Sequence, residues 1–370
     1  MSRKWGELHR QVCFGESDGK VIWQPRIGCW FTDKRFQGDP FPPPLTGMSW
    51  FEIYRELDCS ARLYNVFNRC FQPVFPATVH VTTCQISETD TETVWDMPVG
   101  SLSSVLRRTD SSPAPLRLRR EVVTEDDLRK AIWREEHTDW RWDQDAYEKG
   151  LADAGDLGAP TAYLPRITVQ DLYINKMGTQ QGIYALYDWP DTVAAYFRAL
   201  NESHDRLIDV VNASPIEIIN FGDNVHCGTL PPPLFEKYVL PAYARRCERL
   251  HAAGKFVHAH WDGDVATLLP YVRDTGLDGI EAVTPRPQGD VTLEQVKEAF
   301  GDDVFLIDGV PAVFFDEMFP VAVLQDCVRR ILDLFAPRLV LGISDEISST
   351  GDIERVRLVR EMVDDYNESV

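Results

Sequence analysis

From residue 216 onward the chain repeats one pattern five times: a short apolar run, a polar cluster, then a helix-length stretch. The runs cover 216–221, 255–261, 279–283, 304–309 and 338–344. Each is too short for a core helix, and the spacing leaves room for a helix between neighbours, so the pattern predicts parallel βα units. Parallel strands need a long crossover, so each intervening helix must return over the sheet. Further strand candidates near Val21, Val74 and Ala162 bring the total to about eight, the number of a closed (β/α)8 TIM barrel. An open doubly wound sheet is the alternative, disfavoured because no Gly-rich phosphate loop follows an early strand. The expected organisation is one barrel domain over residues 1–370. It carries an N-terminal arm (about 1–20) and an inserted β region (about 75–123), where Thr- and Val-rich alternation predicts a small antiparallel sheet.

Helix boundaries are also marked. Thr124 and Thr292 each open a capping signature, 192–211 carries an apolar stripe, and 234–253 contains Pro241 as an expected kink and ends at Gly254. Between residues 26 and 45, Arg26, Trp30, Lys34 and Arg35 are mixed with aromatics and prolines. That stretch reads equally as a lid over a site or as a loop held by its own rings.

The charge excludes some functions. With 38 basic and 58 acidic residues the chain carries a formal charge of −20. Such a field repels nucleic acid and anionic membrane surfaces. No apolar run is long enough to span a bilayer, and the first residues lack a secretory apolar segment. Eight cysteines form no CxxC pair, so the simplest compartment is a reducing cytoplasm.

Barrel chemistry is built at the C-terminal ends of strands. Here those ends read Asp223, Asn224 and His226; then His260 and Asp262; then Glu281; then Asp308; then Asp345 and Glu346. Along 258–262, His258, His260 and Asp262 alternate and so project to one side of a strand. Imidazole and carboxylate are zinc-type ligands, so this trio is a candidate metal half-site; histidines hydrogen-bonded inside a barrel are the alternative. The same rim also suits an acid–base carboxylate pair. For any single acid, a helix cap explains as much.

These residues also carry a resemblance. Phe221-Gly222-Asp223-Asn224, the run from Pro231 to Pro241, Gly254-Lys255-Phe256-Val257-His258-Ala259-His260, Leu277-Asp278-Gly279-Ile280-Glu281 and Gly351-Asp352-Ile353-Glu354-Arg355-Val356 resemble, in order and spacing, the uroporphyrinogen decarboxylase superfamily. The resemblance implies a (β/α)8 barrel with its pocket at the strand C-termini. It is closer to the corrinoid-dependent methyltransferase branch than to the decarboxylases, whose Arg-rich N-terminal motif is replaced by Gln24-Pro25-Arg26-Ile27-Gly28-Cys29-Trp30. That branch implies a methyl group moved between a corrinoid (methylcobalamin, brought by a partner corrinoid protein) and a small-molecule acceptor, with zinc or another divalent metal assisting. The branch's His-x-Cys position reads His260-Trp261-Asp262, and its distant Cys position falls at Asp345 or Glu346, a harder donor set. The implied assignments are therefore His260, Asp262, Asp345 and Glu346 on a metal. Asp223, Asn224, His226, Glu281 and Asp308 are catalytic, and Arg26, Trp30 and His258 bind substrate. A homodimer is a further expectation. A decarboxylase or lyase on the same barrel, and a non-catalytic barrel binding a tetrapyrrole or a partner, are the alternatives.

Overall fold

In the computed structural model of the protein, residues 4–370 are described, so the first three residues of the expected arm lie outside the described residues. In chain order the strands are β1 (Ile22–Trp23), β2 (Phe71–Val74), β3 (His80–Gln85), β4 (Asp90–Met97), β5 (Gly100–Arg107), β6 (Leu116–Arg119), β7 (Asp139–Trp142), β8 (Thr161–Leu164), β9 (Ile218–Val225), β10 (Phe256–Trp261), β11 (Gly279–Glu281), β12 (Phe305–Pro311) and β13 (Leu339–Ser344). The chain divides into two compact units. One comprises residues through Arg69 with Gln144–Leu164 and Pro215–Val370; the other comprises Cys70–Asp143 and Pro165–Ser214.

The first unit is built on a parallel sheet of seven strands, in the order β1-β13-β12-β11-β10-β9-β8. The five C-terminal strands and those near Val21 and Ala162 all take the places their apolar runs predict. The eighth candidate does not. Val74 ends β2, which pairs antiparallel with β7 in the other unit. Its β-branched and aromatic residues mark a strand but carry no information about its partner. Among the described residues no ladder joins β1 to β8. Residues 59–63 run through that gap instead: the Ser60 N–H donates to Trp23 O (3.1 Å) and the Ala61 N–H to Leu157 O (2.7 Å).

Alternation along each strand sets what faces the interior. Ile22, Ile218, Phe256, Phe305, Ile307 and Val340 form one buried cluster with Trp5, Val12 and Cys13 of the helix Trp5–Cys13. The expected N-terminal arm is therefore, from Trp5 on, a helix packed onto the interior layer of its own unit. Two residues further toward the C-terminal ends, on the same face, come Tyr163, Asn220 and His258, which share one register row across β8, β9 and β10. His260 and Glu281 pair in the next row.

The helices follow their caps. Glu125–Glu136 and Leu293–Phe300 begin at capping boxes on Thr124 and Thr292. Around Pro241 a five-residue π-turn, Phe235–Val239, precedes the helix Leu240–His251, and Gly254 stops the segment at φ 71°. Residues 28–37, read from sequence as loop, form a helix.

In the second unit, β3 to β6 make a four-stranded antiparallel sheet and β2 and β7 a two-stranded one. Its interior holds an ion network. Arg134 makes two bonds to Glu121 (2.6 and 3.0 Å), and Lys176 lies 2.8 Å from the same carboxylate. Among the described residues no helix is long and apolar enough to cross a membrane.

Candidate active site

A cluster of buried charge lies at the C-terminal ends of β10 to β13. Its centre is Glu281, fully buried at the end of β11. That carboxylate accepts hydrogen bonds from Arg62 Nη1, Asn220 Nδ2 and Tyr163 Oη (3.3 Å). Arg26 Nη1 lies 3.4 Å away, and His260 Nδ1 lies 3.7 Å away. Burial alone would raise the pKa of Glu281. Arg62, His260 and Arg26 outweigh it and hold the carboxyl well below its usual range.

Asp308 is the second buried carboxylate. It receives both terminal nitrogens of Arg62, at 2.6 and 3.2 Å. This fork-to-carboxylate geometry is the strongest form of the pair. The residue sits at φ 82°, and Ala282 and Asp345 on the neighbouring strand ends have φ 68° and 65°. Left-handed backbone costs a side-chain-bearing residue about 1–3 kcal/mol. At Asp308 it breaks the alternation, so that Ile307 and Asp308 both reach the interior. Gly342 on β13 makes room: a Cβ there would collide with Asp308 Oδ1 and lie 2.9 Å from Gln24 O. Burial, with Glu281 nearby, raises the Asp308 pKa against the pull of Arg62. The two carboxylates are thus pushed apart, one held ionised and the other shifted toward the proton.

The histidines divide in the same way. His258 accepts from Asn220 Nδ2 (2.9 Å) at Nδ1, which places its proton on Nε2. Burial pushes its pKa down to about 4, so it is neutral. His260 is also buried, but Asp262 (3.9 Å) and Glu281 (3.7 Å) flank its two ring nitrogens. They outweigh burial and raise its pKa to about 9. At neutral pH the site therefore holds one neutral imidazole and one imidazolium, two residues apart.

Most of the expected residues converge here. His258, His260, Asp262, Glu281, Asp308 and Arg26 lie within this network, and Glu346 joins it through Arg26 Nε (3.5 Å) and the Cys29 N–H (3.1 Å). Asp345 lies 3.9 Å from Arg26, and its side chain is about half exposed. Others lie elsewhere. Asp223 has the opposite parity to Asn220 on β9 and faces the helix layer, accepting from Tyr243 Oη at 2.9 Å. The neighbouring Asn224 is half-buried at the end of β9, and His226 in the following turn bonds Thr229 Oγ1 (3.1 Å). Trp30 is buried, stacks on Phe41 at 5.2 Å and donates to Gly351 O, so it serves packing.

Four members were not expected from sequence: Arg62, Asn220, Tyr163 and Tyr64, whose ring lies tilted against Tyr163 with centroids 3.9 Å apart. A signal existed for two of them. Arg62 is the sole charge between Asp58 and Arg69, and Asn220 is a lone amide inside an apolar strand of inward parity.

The expected metal set meets a specific obstacle. Among the described residues no three His, Cys, Asp or Glu side chains converge as a metal site. The Arg26 guanidinium stands among the expected ligands, 3.5 Å from His260 Nδ1, 3.5 Å from Glu346 and 3.9 Å from Asp345. As arranged, these residues do not fit a divalent ion, because their negative charge is already met by a fixed cation.

Comparison with known proteins supplies three findings. The family profile described as uroporphyrinogen decarboxylase (URO-D) matches residues 173–366. No curated protein matches the chain in sequence. Among solved structures, a methyltransferase from Methanosarcina mazei is similar at TM-score 0.56 and 13% identity, over 96% of this chain and 97% of that one. A type I 3-dehydroquinate dehydratase from Clostridium difficile reaches TM-score 0.32 at 13% identity, over 61% of this chain and 75% of that one.

Proposed function

We propose, since the chain belongs to the uroporphyrinogen decarboxylase family, that it is a methyltransferase-like enzyme working at this charged cluster. In this reading the seven-stranded sheet with residues 59–63 acts as a (β/α)8-type barrel. The methyl group moves between a corrinoid, brought as co-substrate by a partner protein, and a small acceptor. The fold shared with the Methanosarcina mazei methyltransferase makes methyl transfer the first activity to test.

The observation that carries the proposal is the placement of His260 between Asp262 and Glu281, at 3.9 and 3.7 Å, which raises its pKa. Glu281 and Asp308 have no exposed surface, whereas His260 and Arg26 keep a small exposed edge and Tyr163 is only half-buried. A small molecule therefore meets the imidazolium, the guanidinium and the phenol, while the carboxylates position them. Methyl transfer changes the proton demand of the acceptor heteroatom. When that atom loses a methyl group it must gain a proton, and His260 supplies one; in the reverse direction His260 takes it back. The corrinoid supplies the cobalt that carries the methyl group. Glu281 keeps His260 charged and oriented, and the neutral His258 offers an Nε2–H as a hydrogen-bond donor.

A second reading is favoured by charge. Arg26, Arg62 and His260 lie buried together, and such basic groups suit a carboxylate substrate and decarboxylation. One experiment separates the two. Purified protein is incubated with cob(I)alamin and a panel of O-, N- and S-methylated small molecules and carboxylic acids, following the cobalamin spectrum and carbon dioxide release together. Formation of methylcobalamin, lost by about 10²–10⁴-fold in Glu281→Gln and His260→Ala, is the expected result. Carbon dioxide without a spectral change selects the second reading, and neither signal removes the first.

A further inference from the structure

We infer that Arg26 is the resident cation of this site, occupying the position that a catalytic metal ion would otherwise take. The guanidinium is buried, and its three nitrogens reach five groups: Glu281 at 3.4 Å, Asp308 at 3.7 Å, Asp345 at 3.9 Å, Glu346 at 3.5 Å and the Nδ1 of His260 at 3.5 Å. Carboxylates are the hard oxygen donors that divalent ions take. Here four of them face different nitrogens of one covalently attached, permanently charged, planar group rather than a single point.

The backbone holds Arg26 there. Ile22, Gln24 and Arg26 share inward parity, continuing the direction of β1. The turn is pinned on both sides, by Tyr54 Oη donating to Pro25 O (2.7 Å) and by the Ile347 N–H donating to Arg26 O (3.2 Å). A mobile surface arginine would leave the carboxylates open to exchange with a metal, but one fixed by its own main chain does not. The site thus carries its positive charge without an exogenous ion, and a negatively charged acceptor atom at the rim meets the edge of Arg26 directly.

The inference rests on reading this cluster as the active site, but not on the methyl donor, and its test is read without turnover. Parent protein, Arg26→Ala and Arg26→Ala/His260→Ala are titrated with Co²⁺, following the visible ligand-field bands. Near-ultraviolet circular dichroism checks that each is folded. Arg26→Gln, which keeps hydrogen-bonding capacity but removes the charge, serves as a second variant if Arg26→Ala unfolds. The expected result is no stoichiometric Co²⁺ in the parent. One Co²⁺ per chain appears when the charge of Arg26 is removed, and affinity falls at least tenfold when His260 is removed as well. Stoichiometric Co²⁺ in the parent would overturn the inference. So would failure of both charge-removed variants to gain a site, since the carboxylates would then not be a latent cation site. Methyl transfer remains a separate measurement, so loss of this inference leaves the proposed activity standing, and the reverse.

Discussion

Replacing Arg62 with methionine tests the electrostatic account most directly. Arg62 donates to Glu281, twice to Asp308 and through Nε to Gln24 Oε1 (3.2 Å), all out of contact with water. Methionine fills much of the volume but leaves two buried carboxylates short of a partner. Removing one member of a buried ion pair costs about 3–5 kcal/mol, most of it from the uncompensated charge left behind. Arg26 remains 3.4 and 3.7 Å from the two acids and offsets part of this, so about 3 kcal/mol is expected at pH 8. The loss depends on pH in a defined direction. In the parent, Glu281 has its folded pKa depressed, so its contribution is present above the unfolded value of about 4.3 and disappears as pH falls. In the variant the lowering pull of Arg62 is gone from both acids, so both folded values rise; Asp308, already raised in the parent, then costs more stability as pH rises through its folded value. The difference between parent and variant therefore shrinks toward acid. Urea unfolding at pH 8 and pH 5, read as midpoint and slope, measures this. Adding Asp308→Asn to the variant should recover part of the loss. A loss below about 1 kcal/mol at pH 8, or one equal at both pH values, refutes the reasoning.

Histidine-selective NMR titration should find His260 changing charge near pH 9 and His258 near pH 4. Because the folded value of His260 is raised, its stabilisation is complete below about pH 6.5 and lost as pH climbs through 9, and Asp262→Asn should lower that midpoint. A His260 midpoint at or below 6.5 removes the basis for its role as a proton donor. Gly342→Ala should lower stability by about 1–3 kcal/mol in a thermal melt, because the added methyl meets Asp308 and the Gln24 carbonyl; an unchanged melt would mean the pocket beside Asp308 is not tight. Asp223→Asn should cost about 1–3 kcal/mol through its buried partner Tyr243 while leaving turnover intact. A tenfold fall in turnover at unchanged stability would instead return Asp223 to the chemistry.

The strands that carry the charged cluster were readable because a parallel strand buried on both faces leaves an uninterrupted apolar run that ends where the polar rim begins. That logic locates His260, Glu281 and Asp308 from the sequence alone. It misjudged Asp223, because a polar residue closing an apolar run reads the same whether it faces the interior or the helix layer. Only the parity fixed by Asn220 and His258 decides between them. Arg62 was hidden for a different reason. Residues 59–63 have no regular ladder, hence no period, and their place between β1 and β8 follows from contacts to Trp23 on one side and to Leu157, about 100 residues away in sequence, on the other. The roles of Glu281 and Arg26 were likewise obscured. Sequence presents acids as potential ligands, whereas the fold supplies the cation that satisfies them.

The helix Trp5–Cys13 also acts as a stopper. It seals the layer under Arg62, where His9 approaches Gln24 at 3.4 Å and only about 10 Å³ of open space remains beside His9, Gln24, Arg62 and His258. Water admitted there would raise the local dielectric and weaken every charge interaction above it. A fusion or truncation that unseats the helix Trp5–Cys13 would then loosen the charged cluster above it without touching any of that cluster's own side chains.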